Sequence, residues 1–160
     1  MSFNHFDEQG QAIMVDVSAK EPTLRRAVVG ACVSMSPSTL RSIRLGEMKK
    51  GDVLAVARLA GIAAAKKTPD LIPLAHPLAL HAVGIEFFFD EEKHRIRIEA
   101  TVKAVERTGV EMEAMVAASV AALTIYDMCK GVDRAITLGE VALLLKEGGK
   151  SGLYRREPQE

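Results

Sequence analysis

The chain has no tryptophan, two tyrosines, five phenylalanines and only two cysteines among its 160 residues. Cys32 and Cys129 stand far apart and form no CxxC pair, which argues against a disulfide framework and for a reduced, cytoplasmic setting. An excess of one charge sign is also missing, since Lys plus Arg and Asp plus Glu each total 21. That balance disfavours a nucleic-acid partner held by bulk positive charge, but it leaves room for a local basic pocket. The opening MSFNHFDEQG has neither a basic region nor an apolar stretch, so no signal peptide is expected. The apolar run Ala114 to Tyr126 is interrupted by Ser119 and Thr124 and is too short to span a bilayer. It reads as a buried helix, with no membrane partner.

What is present is ordinary for one globular domain: 48% hydrophobic and 26% charged residues. The boundaries fall at a polar tail over 1–12, a single domain over 13–152 and a C-terminal tail over 153–160. Within the domain, Ala27 to Val33 is β-branched and apolar, which predicts a mostly buried strand. Ser36-Pro37 places an N-cap before Pro at the first helical position and starts a short helix to about Leu45. Asp52 caps a second helix, Val53 to Lys67, whose Ala and Gly content permits close approach of another element. Pro69 then ends it. Two further prolines force Leu71 to Leu78 into an extended path around His76. Val83, Ile85, Phe87 and Phe89, then Ile96, Ile98, Ala100, Val102 and Ala104, alternate with polar neighbours on either side of Asp90 to Lys93. That is a hairpin with one wet face.

The longest periodic segment is Thr108 to Gly131. Thr108 and Glu111 have the spacing of a capping box, and Lys130 and Gly131 suit a helix end. Asp127 does not suit it, because a carboxylate in the last turn opposes the helix dipole at a cost of about 0.3–1 kcal/mol. Ile136 to Lys146 is read as a strand. The order is then β-α-β-β-α-β: an α+β, ferredoxin-like fold with an antiparallel sheet and helices on one face.

Three groups of residues have the types that chemistry needs. Arg25, Lys50, Lys66, Lys130 and Lys150 sit at element ends, where turns could present them to one cavity. Scattered solubilising charge is the competing reading, and clustering around a polyphosphate would reverse it. His76 is held by its prolines as either a structural or an acid–base residue. His81, five residues on, makes poor two-histidine metal geometry, so no zinc site is expected. Glu113 and Asp127 lie fourteen positions apart on about the same helix face, roughly 21 Å along the axis. One small molecule cannot easily touch both in one subunit. Two such helices meeting antiparallel about a two-fold axis would bring them together. Gly149-Lys150-Ser151 resembles the end of a P-loop, but Leu144 stands where the required Gly would be.

The stretches MVDVS, GEMKKGDVLAVARLAGIAAAKKTPDLIPLAHPL, RTGVEMEAMVAASVAALTIYDMCK and GGKSG resemble the molybdenum cofactor biosynthesis protein C family. The likeness runs from about Met14 to Gly152. It implies a lyase that converts 3′,8-cyclo-7,8-dihydro-GTP into cyclic pyranopterin monophosphate with release of pyrophosphate. It also implies a homohexamer, a trimer of dimers, with active sites at subunit interfaces and no metal or organic cofactor. Carried over by motif, the catalytic aspartate falls on Asp127 and the essential lysines on Lys50 and Lys130, with His76 a further acid–base candidate. Substrate-contacting segments fall on Leu74-Ala75-His76 and Met112-Glu113, and Arg25 and Lys66 match basic positions near the pocket. Ala75 stands where family members commonly have Cys, so no catalytic thiol is expected there. A ligand-binding module that holds a nucleotide without transforming it, or an inactive scaffold subunit, is the alternative on fold alone.

Overall fold

The computed structural model describes residues 7 and 9–157. Most of the 1–12 tail and the end of the 153–160 tail lie outside them. Five strands form one antiparallel sheet: β1 (Thr23–Ser34), β2 (Ala82–Asp90), β3 (Arg95–Glu106), β4 (Thr137–Glu147) and β5 (Tyr154–Arg155), in the order β2-β3-β1-β4-β5. The helices are α1 (Pro37–Leu45), α2 (Val53–Ala65), α3 (Thr68–Leu71) and α4 (Glu111–Cys129). The first four strands and their helical crossovers make the α+β, ferredoxin-like arrangement. The short β5 extends the sheet beyond it, within the stretch that the sequence assigns to the C-terminal tail.

The register shows why the core sits where it does. Ala27, Val29, Ala31 and Val33 of β1 pair with Val102, Ala100, Ile98 and Ile96 of β3. All eight are at most 2% exposed. Alternate residues of β3, among them Arg97 and Lys103, turn to the opposite, wetter face. Helix α4 covers the apolar face with Ala114, Ala117, Ala118, Ala121 and Ile125, all fully buried. Helix α2 lies against α4 at close range: a Cβ on Gly61 would sit 2.7 Å from the Ala117 carbonyl oxygen. The alanine and glycine content of both helices is therefore a packing requirement. By length and composition alone α4 could cross a membrane, but half of that window is buried inside the fold.

Several local expectations hold. Ser36 caps α1 and Asp52 caps α2, each side chain accepting from the backbone N–H three residues on. Two differ. Helix α2 stops at Ala65, and Thr68 with Pro69 begins the separate one-turn α3. Helix α4 starts at Glu111 after Val110, with no side-chain cap, so Thr108 and Glu111 form no capping box. The Glu111 carboxylate is committed instead to Lys146 of β4. A tertiary cation has displaced the local backbone donor as its partner.

Candidate active site at the two ends of helix α4

Asp127 lies exposed in the last turn of α4, and two lysines converge on it. Lys130 Nζ is 2.7 Å from Asp127 Oδ1. Lys50 Nζ donates to the Asp127 carbonyl oxygen at 2.8 Å and lies 3.9 Å from Oδ2. Lys50 is delivered by the GEMKKGD turn, whose Gly46 (φ 69°) and Gly51 (φ 93°) adopt the left-handed backbone that only glycine takes without strain. Both cations offset the clash between Asp127 and the negative end of the helix. The hydrogen bond and charge of Lys130, then the charge of Lys50, hold the Asp127 carboxyl below its usual range and keep it ionised. The same pairing pushes Lys130 up.

The chain beyond Lys130 is fixed by Asp133, only 8% exposed. Its carboxylate accepts from Ser36 N–H at 2.9 Å and Ala135 N–H at 3.1 Å. Its own N–H donates to the Cys129 carbonyl at 3.0 Å. These bonds tie the segment carrying Lys130 to the start of α1. Cys129 is fully buried, and burial pushes its thiol up to about 11, which makes it inert near neutral pH.

The N-terminal end of α4 is built differently. Leu74, Ala75, His76, Met112 and Glu113 line a cavity of about 510 Å³ together with Val15 and Val17. His76 Nε2 lies 2.7 Å from the Val15 carbonyl oxygen. A carbonyl only accepts, so Nε2 carries the proton and Nδ1 is left for other work. This contact gives the MVDVS segment a role in orienting the imidazole. Glu113 is 3% exposed, and burial, assisted by the nearby Glu111 charge, pushes its carboxyl up.

A second cavity, of about 810 Å³, opens beside the first and shares Lys20, Thr108, Gly109 and Lys146 with it. Its lining carries five cations, Lys20, Arg25, Arg107, Lys146 and Lys150, against one acid, Glu21. Arg25 is 8% exposed and is braced by two carbonyls: Nε donates to Glu106 O at 3.1 Å and Nη2 to Arg107 O at 3.3 Å. Gly149, at φ 76°, runs so close to this guanidinium that a Cβ would overlap it, which places Lys150 at the rim.

The basic residues picked from the sequence therefore divide. Arg25 and Lys150 join one cavity, Lys50 and Lys130 gather at Asp127, and Lys66 is exposed at the end of α2, lining neither cavity. Lys20, Arg107 and Lys146 are missed by the sequence reading. The signal existed for Arg107 and Lys146, which stand at strand ends as Lys50 and Lys150 stand at turns. Among the described residues, no group of three or more His, Cys, Asp and Glu gathers in a metal-holding arrangement.

Comparison with known proteins agrees with this constellation. Residues 14–149 match the MoaC family. The chain is 71% identical to cyclic pyranopterin monophosphate synthase of Geotalea uraniireducens, over 99% of each chain. It is 67% identical to the protein of that name from Pelobacter propionicus, over 98% of each chain. To the Rhodospirillum rubrum protein of that name it is 58% identical, over 94% of this chain and 90% of the other. Matched through both ends of α4 and nearly end to end, the chain belongs to the MoaC family.

Proposed function

We propose that this chain is a cyclic pyranopterin monophosphate synthase, converting 3′,8-cyclo-7,8-dihydro-GTP into cyclic pyranopterin monophosphate and pyrophosphate in molybdenum cofactor biosynthesis. The observation that carries the reading is identity of 71% over essentially the whole of a protein bearing that name. The geometry supports it. A triphosphate calls for several cations at once, and the larger cavity offers five. A fused ring calls for an apolar slot with a few directed polar groups, and the smaller cavity supplies Leu74, Met112, His76 and Glu113.

The chemistry then divides among named groups. To close the cyclic phosphate, a substrate hydroxyl attacks the α-phosphorus, the bond to the bridging oxygen breaks, and pyrophosphate leaves with the electron pair. The hydroxyl proton passes to a base. Cations beside the departing phosphates stabilise the charge that develops on them. Ring opening and pterin assembly require proton transfers, shared by ionised Asp127 with its lysines, by His76 through Nδ1 and by Glu113, whose raised affinity for a proton suits an acid.

Asp127 is too far along α4 to serve the cavities of its own chain. We place it in the site of a second copy, in an antiparallel α4 pair within a homohexamer, a trimer of dimers. The exposed stripe Met112, Ser119, Leu123 and Asp127 along α4 supports such a contact. Residues 13–152 form the single catalytic domain, working in the cytoplasm without a metal or organic cofactor of its own.

Pyrophosphate release from the cyclised nucleotide tests the reading, because a module that only binds nucleotide releases none. Mixing tests the shared site. Asp127→Ala and His76→Ala subunits, each inactive alone, regain activity when co-assembled. Failure of co-assembled subunits to recover any turnover would confine the site to one chain.

A further inference from the structure

Glu111 and Lys146 meet at the boundary of the two cavities. Their side chains are only 24% and 26% exposed. The carboxylate reaches this position because residue 109 is glycine; a Cβ there would lie 1.8 Å from Glu111 Oε2. Lys146 faces both cavities, and in the larger one it shares the lining with Lys20, Arg25, Arg107 and Lys150. Cations gathered at that density repel one another, and a single carboxylate relieves the repulsion at one of them. A bound polyphosphate would offer the same lysine a more highly charged partner.

We propose that Glu111 is a positioning residue that acts as a displaceable counterion for Lys146: an incoming polyphosphate takes Lys146 from Glu111, and departing pyrophosphate returns it. The proposal rests on reading the larger cavity as the polyphosphate site. Its consequence is a limit on product affinity. Each anion bound must break the Glu111–Lys146 pair, so the cavity holds pyrophosphate less tightly than its cations alone would. An acid kept at the edge of an anion site, on a lysine that both cavities share, then serves turnover by easing release.

The sign of this effect separates it from a structural role. An acid in the first turn of a helix also favours the helix dipole, and Glu111→Gln would on that account alone lower stability without improving anion binding. The test is calorimetric titration of inorganic pyrophosphate into the full chain and its Glu111→Gln, Lys146→Ala and doubly substituted forms at one fixed ionic strength. Glu111→Ala replaces Glu111→Gln should the latter fail to fold.

Glu111→Gln is expected to bind pyrophosphate about two- to fivefold more tightly, the scale of one partly exposed ion pair. It is also expected to show stronger product inhibition. Lys146→Ala should bind more weakly, and in its background the Glu111→Gln gain should vanish. Unchanged or weaker binding by Glu111→Gln overturns the proposal, and so does an equal gain without Lys146. Wild-type protein that binds no pyrophosphate, or that binds it with an affinity Lys20→Ala and Lys150→Ala leave unchanged, overturns the polyphosphate reading of the cavity and the proposal with it.

Discussion

At the N-terminal end of α4 Glu113 is buried beside a cavity; at the C-terminal end Asp127 is exposed and two lysines hold it directly. Glu113 is 3% exposed and its proton affinity is raised by burial. Asp127 stands in solvent, lowered by Lys130 and Lys50. One helix thus presents two carboxylates whose tendencies to hold a proton have been driven apart, the pattern expected of groups given different acid–base roles. Desolvation does the work at one end and charge pairing at the other. The difference predicts which substitutions cost activity, which cost stability and which trade one for the other.

The largest effect should come from Asp127→Ala, which removes the acid at the C-terminal end that both lysines hold. Pyrophosphate release should fall about a thousandfold, within the range of a lost acid–base group. The melting temperature should stay unchanged, because the side chain is 59% exposed. Lys50→Ala should follow with a loss on the order of a hundredfold. Normal rates in either variant would dissolve the contrast between the two ends.

Asp133→Ala comes next and concerns stability. It strands the N–H groups of Ser36 and Ala135 and should cost about 2 kcal/mol in urea unfolding. Those backbone bonds hold the Asp133 carboxyl below its usual range. Its folded value is depressed, so its contribution is present above the ordinary carboxylate value and is lost as pH falls through the folded value. The gap between wild type and Asp133→Asn should therefore close in strong acid.

Glu113→Gln should behave with the opposite sign. A folded value raised by burial favours the protonated acid, so the stabilising contribution exists below the ordinary carboxylate value and disappears as pH rises through the folded one. At neutral pH the amide should raise stability by about 1 kcal/mol, or about 2–4 °C in melting temperature, while turnover falls. That gain should be absent in acid. The smallest effect is expected from Lys130→Ala on stability: an exposed ion pair should leave the thermal midpoint unmoved while activity drops.

Much of this was readable in advance because it is local. The caps at Ser36 and Asp52 and the alternation on both sides of Asp90 to Lys93 depend on neighbours within a few residues, whereas Ile136 to Lys146 reads as a strand only from the order of the elements before it. Asp127 and Lys130 are three apart on a helix, so their pairing was also a local matter. The failed capping box shows the limit. Glu111 had a local use three residues after Thr108, and Lys146, thirty-five positions later in sequence, outcompeted it. Lys20, Arg107 and Lys146 had no spacing that linked them, because they reach one cavity from three different segments.

The sequence by itself determined the order of the first four strands and the main helices, the apolar face of the sheet and a helix α2 able to admit a close neighbour, and it nominated Asp127, Lys50, Lys130, His76 and Glu113 as the site candidates. These follow from periodicity, backbone stereochemistry and motif. Only the tertiary structure decided that Arg25 and Lys150 serve one cavity while Lys50 and Lys130 serve Asp127, that Asp133 anchors the turn after α4, and that Glu111 faces Lys146. Charge acts through distance in space, and distances between remote segments are set by how the sheet and helices pack.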